Sequence, residues 1–266
     1  MRLDADAKLH EEGSGEPLVL LHCLGVDHRF WDFARPLASW FRLIRYDLPG
    51  HGSSPVPPGS YGIADLAEQL REILDRNGIA RAHVAGISLG GLIAQQFAAA
   101  HPECVDRLML VDTTPRYTDE MRAMWAERAA TARSRGVAAM IDGLLPIWFS
   151  QRAIAENGEG VRYVRETLSR ANGEGYALAC EALAAADLRA SAGRISAPTL
   201  VICGDDDIPS FLEAAQWLAQ NIPRTELAWI AGTRHASVLE RPDEALRLIG
   251  SWLSSSEPAK GAAARS

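Results

Sequence analysis

The segment 84–91 constrains this chain more than any other part of the sequence. It reads Val-Ala-Gly-Ile-Ser-Leu-Gly-Gly, with an apolar run over 82–87 before Ser88 and residues of helical spacing after it. Gly86 and Gly90 lie two residues on either side of Ser88, where a Cβ would crowd a sharp turn. The pattern predicts a buried strand that turns abruptly into a helix and presents the Ser88 hydroxyl above a sheet.

Strand-like apolar runs alternate with helical periods on both sides of this turn. Strands are predicted at 17–22, 41–46, 82–87, 106–111, 198–204 and 225–230, and helices at 30–40, 62–77 and 89–100. Residues 3–12 indicate a short β-hairpin with its turn near 4–6. The alternation predicts an α/β fold with a doubly wound, mostly parallel sheet.

The alternation stops between residues 114 and 187. This segment carries helical periods rich in Ala, Arg, Met and Trp, and it contains no good strand pattern. A helical insertion between two strands of such a sheet is best interpreted as a cap over the site. We therefore expect a core domain formed by 1–113 and 188–256, a cap domain at 114–187, and a polar, disordered tail at 257–266.

A nucleophilic serine needs a base and an acid that orients the base. Asp207 follows the strand predicted at 198–204, and His235 lies in the loop after the last strand. Asp112, at the end of the strand predicted at 106–111, is the rival acid. The order Ser88, Asp207, His235 is the chain order of α/β-hydrolases, and it differs from the orders in chymotrypsin-like and subtilisin-like enzymes.

An oxyanion hole is predicted from two backbone N–H groups. The strand at 17–22 ends in His22-Cys23-Leu24, where many hydrolases have His-Gly. The N–H of Leu24, with that of Leu89 directly after the serine, can hold a tetrahedral oxyanion. Outside this group, no His, Cys or carboxylate pair has the spacing of metal ligands, so we expect neither a metal ion nor a cofactor.

Composition limits the class of protein. With 47% hydrophobic and 23% charged residues in 266, the chain is typical of a globular protein. A net charge of −7 argues against nucleic acid or an anionic membrane as partner. The sequence shows no apolar leader and no apolar run of membrane-spanning length, so we expect a cytoplasmic protein whose partner is a small-molecule lactone or ester. Self-association into a homo-oligomer is left open.

Several stretches together resemble a known family. Over residues 1–253 the chain is similar to α/β-hydrolases and, more narrowly, to the 3-oxoadipate enol-lactonases of bacterial aromatic degradation. The matching stretches are 22–25, 46–54, 56–61, 86–91, 184–189 and 197–199. The resemblance implies hydrolysis of a lactone ester in the β-ketoadipate pathway, with Ser88 as nucleophile, His235 as base and Asp207 as the orienting acid.

The substrate of that family carries a free carboxylate, which an apolar pocket would reject. The resemblance therefore implies cationic or hydrogen-bonding groups in the cap. The candidates, which fall in predicted cap helices, are Trp125, Arg128, Arg133 and Trp148.

Two other functions fit the same residues. A general carboxylesterase or perhydrolase would use the same serine, histidine and aspartate. A small-molecule receptor built on a hydrolase fold could also retain all three residues.

Overall fold

A seven-stranded sheet forms the middle of the protein in the computed structural model, which describes residues 3–255. The strand order is β1-β3-β2-β4-β5-β6-β7; β1 runs antiparallel to β3, and the other neighbours are parallel. The strands are β1 (His10–Glu12), β2 (Glu16–Leu21), β3 (Phe41–Arg45), β4 (Ala82–Ile87), β5 (Val105–Val111), β6 (Thr199–Gly204) and β7 (Thr225–Ile230). The predicted fold class is confirmed, whereas the tail predicted at 257–266 lies outside the described residues.

Helices connect these strands. They are α1 (Ile63–Arg76), α2 (Leu89–Ala100), α3 (Asp119–Arg135), α4 (Ile141–Trp148), α5 (Gln151–Glu156), α6 (Glu159–Arg170), α7 (Gly173–Ala185), α8 (Pro209–Asn221), α9 (Ser237–Glu240) and α10 (Pro242–Ser254). Shorter 3-10 segments occur at His28–Ser39, Pro102–Cys104, Val137–Met140 and Arg189–Arg194. Within residues 3–255, no helix has both the length and the apolar character needed to cross a membrane.

The strand order decides which face of the sheet each helix covers. From β2 the chain crosses to β3 in one direction, and from β3 onward it crosses to β4, β5, β6 and β7 in the other. Because parallel crossovers are right-handed, the His28–Ser39 segment covers one face, and α1, α2 and α8 cover the opposite face. The direction reverses between β2 and β4, so a crevice forms at the carboxyl ends of these two strands.

Burial follows from this layered arrangement. Every residue of β4 and β6 is buried, as expected for central parallel strands that are covered on both faces. The edge strand β7 has a polar, half-buried pattern, and Trp229 on it remains 38% exposed. The apolar core therefore lies on both faces of the central strands, and the ends of these strands carry the site.

One local prediction was wrong, and a second held for the presence of a helix and left its type open. Residues 3–9 form no strand, and β1 pairs with β3 instead of closing a hairpin, with His10 opposite Arg45. An isolated hairpin is marginal, whereas the open edge of β3 offers backbone partners that the sheet already holds in place. The segment predicted as a helix at 30–40 is a 3-10 helix, His28–Ser39; it contains Pro36, which lacks the N–H that an α-helix interior requires.

The turn between β4 and α2 depends on the absence of two side chains. A Cβ on Gly86 would lie 2.1 Å from the carbonyl oxygen of Gly90. A Cβ on Gly90 would lie 2.3 Å from the carbonyl oxygen of Leu21, at the end of β2. Both contacts involve backbone atoms, so no side chain can rotate away to relieve them. The glycines let α2 start directly beside the end of β2.

The helices α3 to α7 lie between β5 and β6. α3 packs along α7, and α4 packs against α6. Arg116 and Asp187 form an isolated antiparallel bridge, and the N–H of Leu188 donates to the carbonyl oxygen of Pro115 at 2.8 Å. The two chain segments that lead into and out of this helical region are therefore tied together beside the sheet.

The helical region also rests directly on the core. A Cβ on Gly50, in the loop after β3, would lie 2.6 Å from the Cα of Gly175 in α7. Two glycines facing each other allow the backbones of α7 and this loop to touch. This contact closes the space above the carboxyl ends of β2 and β4 on one side.

We predict opposite effects for two glycine-to-alanine substitutions. G86A forces a Cβ against the Gly90 carbonyl and should lower the free energy of unfolding by about 2 kcal/mol or more. G143A, on the exposed side of α4 with nothing within 4 Å of its Cβ, should raise it by about 0.5–1 kcal/mol. Urea unfolding midpoints of both variants test this; equal shifts would contradict the packing described for the turn.

Candidate active site

Ser88 lies at the turn itself, between the last residue of β4 and the first residue of α2. Its backbone adopts φ 51° and ψ −111°, a conformation that a residue with a side chain rarely takes. The N–H of Ser88 donates to the carbonyl oxygen of Val111 at 3.0 Å, and its own carbonyl accepts from Thr113 Oγ1 at 2.8 Å. The end of β5 thus holds the strained turn in place.

A hydrogen-bonded chain joins Ser88 to the two residues predicted as its partners. His235 Nε2 lies 3.1 Å from Ser88 Oγ, and His235 Nδ1 lies 3.0 Å from Asp207 Oδ2. The loops after β4, β6 and β7 supply the three side chains, and all three are buried. If Nδ1 carries the proton and donates it to Asp207, Nε2 is free to accept the Ser88 proton.

The charge on Asp207 governs the imidazole. Burial disfavours the charged imidazolium, but the adjacent Asp207 carboxylate outweighs burial, so the pKa of His235 lies above its ordinary value. Asp112 raises this pKa further, whereas the Arg128 guanidinium lowers it. A base with a raised pKa binds the serine proton more firmly, and it is neutral only above that pKa.

Asp112, the rival acid, lies outside the hydrogen-bonded series of Ser88, His235 and Asp207, and it makes no hydrogen bond to His235. Its carboxylate accepts from the N–H of Gly204 at 3.0 Å and from the Ser237 hydroxyl at 2.7 Å. Complete burial raises the pKa of Asp112 to about 7. Asp112 therefore links the end of β6 to the segment after His235, whereas Asp207 contacts the imidazole.

The two predicted oxyanion donors lie on the other side of Ser88. Leu89 is the first residue of α2, where a helix N–H has no partner within the helix. Leu24 follows β2, and His22 fixes this loop: its Nε2 accepts from the Leu48 N–H at 2.9 Å and its Nδ1 lies 2.8 Å from the Cys23 carbonyl oxygen. Among residues 3–255, neither the Leu24 N–H nor the Leu89 N–H has an acceptor.

The four cap candidates are placed differently. Trp148 is buried beside His235, with ring centroids 6.5 Å apart. Trp125 is buried and carries the Arg128 guanidinium 4.8 Å from its ring centroid. Arg133 instead binds Glu174 and Glu181, with nitrogen–oxygen distances of 2.7 and 2.5 Å at the surface. Trp148 therefore borders the imidazole and Arg128 packs on Trp125, whereas Arg133 is engaged elsewhere.

Sequence reasoning missed two aromatic residues of the site. Phe211 in α8 packs on His235 with ring centroids 4.3 Å apart. Tyr117, between β5 and α3, is 1% exposed and packs edge-on against Trp125. Both rings and Trp217 also line a cavity of about 240 Å³ that lies apart from the hydrogen-bonded chain, since Ser88, Asp207 and His235 do not line it. The position of Tyr117 just after a strand next to β4 is the only sequence signal that pointed to it.

Two groups of potential metal ligands come together in the described part of the chain. They are His10, His28 and Asp47, and Asp112, Cys203 and Asp207. In the first group, Asp47 already accepts from the Ser53 N–H at 2.7 Å and from His28. In the second, Asp112 and Asp207 hold the hydrogen bonds described above. These bonds account for both groups, and we assign no ion to either.

Comparison with known proteins identifies the family. The family model described as the alpha/beta hydrolase fold matches residues 16–242. 3-Oxoadipate enol-lactonase 2 of Acinetobacter baylyi is 31% identical over 229 residues, covering 85% of this chain and 84% of the relative. The pimeloyl-[acyl-carrier protein] methyl ester esterase of Chromobacterium violaceum is 34% identical over 250 residues, covering 91% and 95%. This chain belongs to the α/β-hydrolase family, and its relatives support a hydrolase.

A solved structure agrees with this assignment. The enol-lactonase from Burkholderia xenovorans superposes with a TM-score of 0.89 at 32% identity, covering 94% of this chain and 96% of that chain. The chain is about as similar to a lactonase as to a methyl ester esterase. These relatives therefore show the family but do not distinguish between the two substrates.

We predict that the two buried aspartates differ in their effect on turnover. D207N should lower kcat by about 10⁴-fold, because an amide facing Nδ1 favours the wrong imidazole tautomer. It should also move the acid limb of the kcat/KM profile to lower pH, since the native limb lies above the ordinary 6.5. D112N should cost far less. Profiles of both variants on one ester test this, and a larger loss in D112N would transfer the orienting role to Asp112.

Proposed function

We propose that this protein is a serine hydrolase that opens a lactone ester carrying a free carboxylate, with 3-oxoadipate enol-lactone as substrate. The hydrogen-bonded chain from Ser88 through His235 to Asp207 supports the serine chemistry. The guanidinium of Arg128 supports a substrate that carries a free carboxylate. The relatives at 31% and 34% identity are compatible with an ester bond as the target.

In the first half of the reaction, Ser88 Oγ attacks the lactone carbonyl while His235 Nε2 takes the serine proton. Negative charge develops on the carbonyl oxygen, which receives hydrogen bonds from the N–H groups of Leu24 and Leu89; one such donor is typically worth about 3 kcal/mol in the transition state. The intermediate then expels the ring oxygen, and His235 returns the proton to it. The opened chain stays bound to Ser88 as an ester.

In the second half, His235 takes a proton from water, and the resulting hydroxide attacks the Ser88 ester. The same two N–H groups hold the second oxyanion. Collapse of this intermediate releases the carboxylic acid product and returns the proton to Ser88. Asp207 stabilises the imidazolium in both halves.

The substrate class rests on the charge left unbalanced in the cap. Arg128 is half-buried, yet it forms no ion pair with a carboxylate among residues 3–255. Its charge reaches the site, because it opposes the rise in the pKa of His235 and the rise that burial causes in the pKa of Tyr176. A cation that is withdrawn from water and lacks a protein carboxylate is suited to a substrate carboxylate.

A second candidate is an esterase acting on open-chain esters. The relative from Chromobacterium violaceum, named as a methyl ester esterase, favours it at 34% identity. The same residues would perform the same two half-reactions with an alcohol as leaving group. The first candidate acts on a cyclic ester that carries a free carboxylate, and the second acts on an open-chain ester. Turnover of both kinds of substrate therefore separates the two candidates.

The deciding experiment measures turnover of enol-lactone generated from muconolactone beside that of methyl and p-nitrophenyl esters. We expect the lactone to have the highest kcat/KM. S88A should lose on the order of 10⁶-fold in kcat and retain its fold, because removing one hydroxyl at the turn leaves no large cavity. Higher kcat/KM on the neutral esters would favour the esterase. Full activity of S88A would overturn both candidates.

We predict that R128A and R133A separate the two cap arginines. R128A should lower kcat/KM on the acidic lactone by roughly 10- to 100-fold, because a charge-assisted hydrogen bond is lost. It should leave p-nitrophenyl acetate almost unaffected. R133A is the matched control from the same helix, since its guanidinium is already bound to two glutamates. Equal losses on both substrates, or the same effect in both variants, would contradict a carboxylate anchor at Arg128.

A further inference from the structure

Tyr117 carries a buried hydroxyl that the reaction described above leaves unused. Its side chain is 1% exposed, and its hydroxyl has no hydrogen-bond partner within residues 3–255. Burial raises the pKa of Tyr117, while the adjacent Ser88 side chain and the Arg128 charge act against that rise. A buried phenol without a partner loses the hydrogen bonds it had in water, so the protein gives up stability at this position.

Aromatic contacts hold the Tyr117 ring in place. The Tyr117 ring lies edge-on to Trp125, with centroids 5.3 Å apart, and edge-on to Phe211 at 6.4 Å. Phe211 in turn packs on His235 at 4.3 Å. Contacts on two sides restrict movement of the ring. The phenol is therefore held among the rings that pack on His235, and the effect of the Ser88 side chain on its pKa places the hydroxyl near Ser88.

The sheet order places this donor on a definite side of Ser88. Tyr117 follows β5 and His235 follows β7, and both strands lie on the same side of β4. Leu24 follows β2, which lies on the opposite side. An ester whose oxyanion binds the N–H groups of Leu24 and Leu89 has its carbonyl oxygen on the Leu24 side. The leaving oxygen must face His235, which returns the proton to it, so it also faces Tyr117.

We propose that the Tyr117 hydroxyl donates a hydrogen bond to the leaving oxygen of the substrate as the carbon–oxygen bond breaks, and that it thereby determines which leaving groups the enzyme accepts. This inference rests on the serine hydrolase function proposed above. The Ser88–carbon bond has formed, the electron pair of the breaking bond passes to the leaving oxygen, and His235 Nε2 supplies the proton. Tyr117 keeps its own proton throughout.

This hydrogen bond stabilises some leaving groups more than others. An alkoxide or enolate leaving group carries much charge in the transition state, and a donor in a dry site stabilises that charge. A p-nitrophenolate leaves readily and disperses its charge over the ring, so it gains little from the donor. A lactone needs the donor most, because its leaving oxygen stays tethered beside the new ester.

Tyr46 provides a matched control within the same chain. It is fully buried, and its hydroxyl also has no partner among the described residues. Burial alone raises its pKa, with no contribution from Ser88 or Arg128. Y46F and Y117F therefore remove the same atom from equally buried positions, but only Y117F removes it beside the nucleophile.

The experiment compares kcat/KM on ethyl butyrate and p-nitrophenyl butyrate, two esters with the same acyl group, for the native protein, Y117F and Y46F. Y117F should lose roughly 10- to 100-fold on the ethyl ester and less than about threefold on the p-nitrophenyl ester. Y46F should behave as the native protein on both. Equal losses of Y117F on the two esters, or no loss on either, would overturn the role of Tyr117.

Calorimetric titration with butylboronic acid adds a measurement that needs no turnover. Boron accepts the electron pair of Ser88 Oγ, the serine proton passes to His235, and the adduct keeps two hydroxyls. One hydroxyl lies toward Leu24 and Leu89, and the other occupies the leaving-group side. Y117F should bind the boronic acid roughly 10-fold more weakly than the native protein and Y46F do. Equal affinities in all three proteins would overturn the proposal.

The combined outcomes separate the two proposals. If the native protein hydrolyses no ester or lactone but Y117F alone binds the boronic acid more weakly, the hydrolase function fails and the donor position of Tyr117 stands. If the native protein hydrolyses esters and Y117F matches it in every assay, the hydrolase function stands and the role of Tyr117 fails. Absence of both turnover and boronic acid binding would overturn both.

Discussion

The close approach of backbone to backbone at Gly86 and Gly90 is the constraint on which the site depends. It lets α2 begin beside the end of β2, and it holds Ser88 at φ 51°. Such a conformation costs of the order of 1–3 kcal/mol and persists only where surrounding structure enforces it. Here the ends of β2 and β5 enforce it through the Leu21 carbonyl and through hydrogen bonds to Val111 and Thr113. A residue with a strained backbone thus presents the hydroxyl.

Burial then sets the charges around this serine. Two carboxylates and one imidazole lie together in the core. Burial raises the pKa of Asp112 to about 7, and Asp112 holds two loops together by hydrogen bonds. Asp207 contacts the imidazole of His235 and stabilises its charged form. One acid shapes the site and the other acts on the base.

The core and the helices above it make separate contributions. The carboxyl ends of the strands supply the serine, the imidazole, the aspartate and the oxyanion donors, which are common to hydrolases of many ester substrates. The helical region supplies Arg128 and Trp125, together with Trp148 beside the imidazole. A relative named for a lactone and one named for a methyl ester are similar to this chain at 31% and 34% identity. Discrimination between substrates must therefore come from the second set.

The sequence by itself determined the sheet, the turn at Ser88 and the partners Asp207 and His235, because strand periodicity and glycine spacing are local and strand ends meet at one edge. It did not determine the pairing of β1 with β3, since a short polar strand takes whichever edge the tertiary structure leaves open. Only the tertiary structure distinguished Arg128 from Arg133, which share one helix and one charge, because it pairs Arg133 with two glutamates. It also packed Tyr117 among the aromatic rings beside His235, because the direction of a side chain between two elements depends on packing that no spacing encodes.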